Sequence, residues 1–163
     1  MILPITKLPA KILRAPVAPI IFPLDKKTRR LLSDMLQTVK KADGIGLAAT
    51  QVSKSFNLAI IYLEESGVPA FPLFNPKIIS SSKEVVAIEE GCLSIPGVFG
   101  MVSRPKKITV AAQDLNGGVI KLTDDGWIAR VMQHEIDHLN NILIIDKFDK
   151  ITRGKELLAL YQE

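Results

Sequence analysis

Apolar and polar positions change rhythm along this chain, and each rhythm predicts an element. From about Asp25 to Ala42, Leu31, Leu32, Met35, Leu36 and Val39 recur at helical spacing with lysines and arginines opposite, and Gly44 is placed to end the helix. Phe56 to Leu63 reads as a buried strand, and Leu73 to Ile79 and Val85 to Glu89 as shorter ones. Ile108 to Gln113 and Val119 to Thr123 flank Asn116-Gly117, a strong hairpin signal. A second helix is expected from about Asp125 to Asn140. There Trp127, Ile128, Val131, Met132, Ile136 and Leu139 encircle so much of the surface that burial on most sides is predicted. Thr152 is positioned to cap a short last helix ending near Tyr161. Before the first helix, Pro4, Pro9, Pro16, Pro19 and Pro23 predict an extended segment wrapped over the body.

Many short strands and one buried helix imply the α+β class, with short antiparallel strands packed around a central helix. An N-terminal and a short C-terminal helix complete the expected fold, as a single domain over residues 1–163. Composition agrees: 47% of residues are apolar and 23% charged, ordinary for a globular domain. No apolar run approaches the roughly 20 residues needed to cross a bilayer. The start, Met1-Ile2-Leu3-Pro4-Ile5-Thr6-Lys7, lacks the charged and apolar regions of a signal peptide. A single cysteine excludes an internal disulfide and suits a reducing compartment. The expectation is a cytoplasmic protein with no membrane partner, or an organellar one whose transit peptide has been removed. The formal charge of +4 is modest and by itself names no partner.

The chemistry is concentrated. Both histidines fall in His134-Glu135-Ile136-Asp137-His138. Histidines four apart on a helix lie on one face with Cβ atoms roughly 5–6 Å apart, close enough to share a metal. Glu135 is rotated towards a metal-bound water rather than the metal itself. The only cysteine, Cys92, sits in the tract Glu89-Glu90-Gly91-Cys92-Leu93-Ser94-Ile95-Pro96-Gly97. Gly91 permits a close backbone approach and Pro96-Gly97 signals a turn, so the tract is suited to presenting a thiolate. Two imidazoles and one thiolate leave a fourth position open, the arrangement of a catalytic rather than a structural site. An ordinary zincin would need a further downstream histidine or carboxylate; no further histidine exists. Gly44-Ile45-Gly46 lacks the third glycine and the lysine of nucleotide-binding loops and reads as a tight turn into a strand.

Three segments together resemble the signature motifs of peptide deformylases. They are Gly44-Ile45-Gly46-Leu47-Ala48-Ala49-Thr50-Gln51-Val52, Glu90-Gly91-Cys92-Leu93-Ser94 and Gln133-His134-Glu135-Ile136-Asp137-His138-Leu139, in that order. The likeness runs from Leu13-Arg14 to Leu143-Ile144-Ile145-Asp146. It implies a hydrolase that removes the formyl group from the N-terminal methionine of nascent polypeptides and releases formate. On this resemblance Cys92, His134 and His138 hold one divalent cation, Fe(II) in vivo, with zinc, nickel or cobalt in isolated protein. Glu135 acts as general acid–base, and the Gln51 amide and Leu93 N–H meet the charge on the formyl oxygen. Ile45 and Gly46 pair with the substrate backbone, and Ile45 and Val131 line the pocket for the methionine side chain.

Glu90, Arg104 and Asp137 are candidates for an ion-pair network steadying the cysteine tract against the metal helix. Two positions depart from the family pattern. Asn141 stands where glycine is common, and asparagine tolerates the left-handed backbone needed there. Phe99 stands where some members carry a basic residue facing the peptide, which leaves preferences downstream of methionine open. Lys147, Lys150, Arg153 and Lys155 are candidates for a weak ribosome contact, and no sequence-specific nucleic-acid partner is expected. Two rival readings are a peptidase built on H-E-x-x-H and a basic, non-enzymatic RNA-binding module. Only 6% of residues are aromatic, which argues against the second.

Overall fold

The computed structural model describes residues 1–162. Its first regular helix, α1 (Lys26–Lys41), begins where Asp25 accepts a hydrogen bond from the Thr28 N–H. Leu31, Met35 and Val39 are buried along one stripe, each burial contributing roughly 1.5–3 kcal/mol against exposure. The helix ends differently from expectation. Asp43, not Gly44, takes the left-handed conformation (φ 51°), and the N–H groups of Asp43 and Gly44 return to the carbonyls of Lys40 and Val39. Gly44 is needed for space instead: a Cβ there would lie 2.9 Å from Leu93 Cδ1 and 3.1 Å from Val39 Cγ2.

Eight strands follow in two antiparallel sheets. They are β1 (Gly46–Ala48), β2 (Leu58–Ile61), β3 (Phe71–Ser81), β4 (Val85–Gly91), β5 (Phe99–Pro105), β6 (Ile108–Gln113), β7 (Val119–Asp124) and β8 (Lys150–Arg153). The five-stranded sheet has the order β1-β2-β3-β6-β7, and the three-stranded sheet β4-β5-β8. The pattern reading anticipated β2, β3, β4, β6 and β7 but not β5 or β8. At the hairpin only Gly117 has positive φ (85°), and its N–H bonds to the Asp114 carbonyl. The connection is therefore a type I turn closed by a left-handed glycine rather than a two-residue turn.

The sheet's two faces carry different layers. Leu58, Ile60 and Phe74 pack with Met35 and Val39 of α1. Ile61, Leu73 and Val110 pack with Val131, Met132 and Ile136 of α2 (Trp127–Leu139). Strand β2 is buried at every position because helices cover both sides. On its far side α2 meets the small sheet, where Arg130 bonds the Val86 and Val102 carbonyls and Gln133 the Pro105 carbonyl. That makes α2 the central element.

Two local expectations need correction. Trp127, expected inside, is 57% exposed, because it lies on the first turn of α2 at the rim of a cavity. Thr152 lies in β8 and donates to Glu89 rather than capping a helix. The C-terminal helix is a 3-10 helix, Lys155–Tyr161, entered through Gly154 in the left-handed conformation. Asn141 behaves as the sequence suggested. It is left-handed at φ 64°, and the N–H groups of Asn141 and Ile142 return to His138 and Asp137. The proline-rich start is extended apart from a short 3-10 turn, Lys11–Arg14, and Arg14 holds it down through a bidentate pair with Asp146 at 2.8 and 3.0 Å.

Candidate active site

The site is assembled from three places on this framework: the end of β4, the middle of α2, and β1 with the 3-10 turn that follows it (Ala49–Val52). Helical spacing brings the His134 and His138 rings to 5.2 Å between centroids. Strand β4 ends at Gly91, where a Cβ would lie 2.5 Å from the Phe99 ring, so only glycine lets the chain pass and deliver Cys92. Cys92 Sγ is 3.3 Å from His138 Nε2, and the ligand atoms of Cys92, His134 and His138 all lie within 4.8 Å of one another. Donors about 2.0–2.3 Å from one tetrahedral ion are roughly 3.5 Å apart, so the cluster fits a divalent cation with little adjustment.

Without a metal the site holds a thiolate beside a charged imidazole: burial lowers the His134 pKa, but the hydrogen bonds and charges of Cys92 and Glu90 outweigh it and raise it well above its usual range. Burial pushes the Cys92 thiol up, but the imidazoles of His138 and His134 outweigh it and hold the thiol well below its usual range. Glu90 is likewise pushed up by burial, yet hydrogen bonds from His134 and Arg104 bring it down to about 2. Glu135 is buried and its pKa is raised, chiefly by burial, with the neighbouring histidines pulling the other way.

Glu135 sits against β1. A Cβ on Gly46 would lie 2.5 Å from Glu135 Oε1 and 2.8 Å from Val131 Cγ1. Gln51 is fixed through its own amide. Its Oε1 accepts the Ala48 N–H at 2.9 Å, which turns Nε2 towards Ser94 Oγ at 3.2 Å and Cys92 Sγ at 3.5 Å. A cavity of about 560 Å³ opens over these groups. Ile45, Gly46, Gln51, Cys92, Leu93, Val131, His134 and Glu135 all line it, while buried His138 lies beneath.

The expected ion-pair network is formed, and larger than anticipated. Arg104 bonds Glu90 at 2.7 and 3.0 Å and Asp137 at 2.6 Å, and Arg130 adds a bond to Glu90 Oε1 at 2.9 Å. Pattern reading did not single out Arg130. Its signal was a charged residue one turn before His134 in the apolar first half of the helix, where burial demands a carboxylate. Ser94, fully buried as the Gln51 partner, gave no such signal.

The polypeptide deformylase family model matches residues 2–154, nearly the whole chain. The chain belongs to the polypeptide deformylase family. A peptide deformylase 1 of Nostoc is 44% identical over 151 residues, covering 90% of this chain and 80% of the relative. A peptide deformylase of Halothermothrix orenii is 40% identical over 157 residues, covering 96% and 99%. Among solved structures, a class I type b peptide deformylase from Acinetobacter baumannii superposes at TM-score 0.87 with 32% identity, covering 91% of this chain and 99% of its own. One from Synechococcus elongatus, in complex with actinonin, gives 0.84 at 39% identity, covering 98% and 83%.

The deformylase fold and motifs therefore coincide in one chain. It is an enzyme that removes the N-formyl group from nascent peptides. The family works through a catalytic metal, and the Cys92–His134–His138 cluster is where this deformylase can hold one. Among the described residues no helix is long and apolar enough to cross a membrane.

Proposed function

We propose that residues at the floor of this cavity carry out deformylation in the following roles, with the whole chain acting as one catalytic domain. The observation that supports this most is the convergence of Cys92, His134 and His138 beside a buried, otherwise unpaired Glu135 carboxylate. Bound there, a divalent cation supplies Lewis acidity and lowers the pKa of water towards neutrality. Glu135 would take the proton from the attacking water. Its raised pKa keeps the resulting acid able to return the proton to the departing amine. The Gln51 Nε2–H, held beside Cys92 Sγ at 3.5 Å, meets the charge that develops on the formyl oxygen. The Leu93 N–H, which makes no backbone hydrogen bond among the described residues, shares that task.

The peptide is read by backbone. The Ile45 carbonyl is taken by the Tyr62 N–H at 2.8 Å. Alternation along an antiparallel strand then turns the Gly46 N–H and carbonyl to the free edge of β1. Strand β4 also has a free edge at Glu89–Gly91, and the cavity lies between the two. An extended peptide fits there by adding as a strand. Val131 and Ile45 line the space for the methionine side chain, and the cramped approach to Glu135 favours a formyl carbon over larger acyl groups.

Fe(II) is the physiological ion in this reading, with zinc, nickel or cobalt in isolated protein; the mixed thiolate and imidazole donors suit all four. The enzyme works in the cytoplasm. Exposed Lys147, Lys150, Arg153 and Lys155 contribute a weak ribosome contact. The test is formate release from formyl-Met-Ala-Ser by protein prepared without oxygen and supplied with Fe(II). Formate that appears with metal and vanishes on chelation supports the assignment. Metal-loaded protein that cleaves internal peptide bonds but releases no formate would replace it with the peptidase reading.

A further inference from the structure

One face of the small sheet carries an aromatic and charged cluster that the deformylation chemistry leaves unused. Register pairs Glu89 with Met101 and Gly91 with Phe99 across β4 and β5, and Phe99 with Arg153 across β5 and β8. Paired residues point to the same side of a sheet, so Glu89, Gly91, Phe99 and Arg153 share a face. Glu90 points to the other side, where it meets His134 and Arg130 of α2. Gly91 has no side chain, and the Phe99 ring fills the space where one would stand. The Arg153 guanidinium lies 3.9 Å from the centroid of that ring, and its Nη2 donates to Glu89 Oε1 at 2.7 Å.

Arg153 is held in place without being used up. Both Glu89 oxygens are engaged, Oε1 by Arg153 and Oε2 by the Thr152 hydroxyl. The other N–H groups of Arg153 meet no acceptor among the described residues. Its side chain is 60% exposed against 38% for Glu89, so the cation is the more accessible charge of the pair. Stacking and the ion pair fix a long side chain in advance, which leaves little rotamer freedom to lose on binding. Glu89 and Phe99 line the same cavity as Gln51, Cys92 and Glu135. The cluster therefore stands at the mouth of the active site on the β4 side, while Asp43, another acid lining the cavity, lies on the β1 side.

We propose that Arg153 reads the peptide residue that follows methionine and favours an acidic side chain there. This rests on the peptide adding as a strand between β1 and β4. In that pose the methionine side chain enters the space lined by Ile45 and Val131, on the α2 side of the groove. Successive side chains of a strand alternate, so the next one turns to the opposite side, over Gly91 and against Phe99. Its aliphatic part packs on the ring, and a carboxylate at its end meets the unused N–H groups of Arg153. A lysine in the same place meets a like charge. The mouth is open to solvent, so the preference is modest, about fivefold, the upper range for an exposed ion pair.

The experiment compares formate release from formyl-Met-Asp-Ser and formyl-Met-Lys-Ser by the metal-loaded full chain, with formyl-Met-Ala-Ser as reference. At low salt, about 50 mM KCl, kcat/KM for the aspartate peptide should exceed that for the lysine peptide about fivefold, chiefly through KM, and the gap should narrow as salt rises. Arg153→Gln should bring the ratio to one or below, and Arg153→Glu should reverse it. Each ratio is taken within one protein, so a general loss of activity or stability cancels. Equal kcat/KM for the two charged peptides, with formate released normally from formyl-Met-Ala-Ser, would overturn the proposal alone. So would an aspartate preference that survives both substitutions, or one that appears only with formyl-Met-Ala-Asp, at the third peptide position. No formate from any of the peptides would overturn the assigned deformylation roles and this proposal with them.

Discussion

His134 Nδ1 lies 3.0 Å from Glu90 Oε2, and the same carboxylate is gripped by Arg104 and Arg130. The Nδ1–H donates to an acceptor that stays ionised, since Glu90 is held at about 2. In the neutral ring that arrangement would place the proton on Nδ1 and leave Nε2, on the side of Cys92, as the atom available to a metal. One carboxylate thus ties the helix that carries both histidines to the strand that delivers the thiolate.

Replacing Glu135 by glutamine keeps the shape of the floor and removes its proton carrier. Metal content should match the unaltered protein, while formate release falls by about 10²–10⁴-fold. Unaltered turnover by a fully metal-loaded E135Q protein would remove Glu135 from the chemistry.

Gly46→Ala separates geometry from basicity. Alanine suits a strand no worse than glycine, but its Cβ would meet Glu135 Oε1 at 2.5 Å. The carboxylate must shift, and turnover is expected to drop about 10²-fold from misplacement alone. Metal content is the control. A variant that turns over normally would mean that Glu135 needs no such close fit to β1.

Arg104→Ala leaves half-buried Asp137 without its cation and takes from buried Glu90 its bidentate partner, leaving Arg130 and His134 on that carboxylate. Breaking a buried pair in this way costs about 3–5 kcal/mol. Metal affinity should also fall about 10–100-fold as Glu90 loses its hold on His134. Calorimetry and metal titration check both, and an unchanged melting temperature with unchanged affinity would reduce the network to ornament.

Glu90 also predicts an acid response of the metal-free protein. Its folded pKa of about 2 lies below the ordinary 4.5, so the folded state binds fewer protons than the unfolded one. Its stabilisation is complete above about pH 4.5 and is lost as pH falls through about 2, on the order of 3 kcal/mol in all. Urea unfolding between pH 6 and 3 should show this decline, and Glu90→Gln should flatten it. A decline of equal size in that variant would assign the acid sensitivity to other groups.

Much of this was legible in the chain because it depends on short-range geometry. Spacing by four places His134 and His138 together whatever surrounds them, and the stripe of Leu31, Met35 and Val39 sets the buried face of α1. The type of the last helix was not legible. Neither were β5 and β8, since their sequences lack clean alternation and each is made a strand by its partner. The place of Trp127 was not legible either, because a periodic pattern cannot tell a core from a cavity rim.

By itself the sequence determined which residues can ligate a metal and which element carries two of them, because helix periodicity is a property of the backbone. Only the tertiary structure decided that Cys92, 42 residues before His134, completes the set. It likewise decided that Gly46 lies against Glu135 and that Arg130 joins Arg104 on Glu90. Those relationships arise where β1, β4 and α2 meet, and contacts between distant segments are fixed by how whole layers pack, which no local pattern encodes.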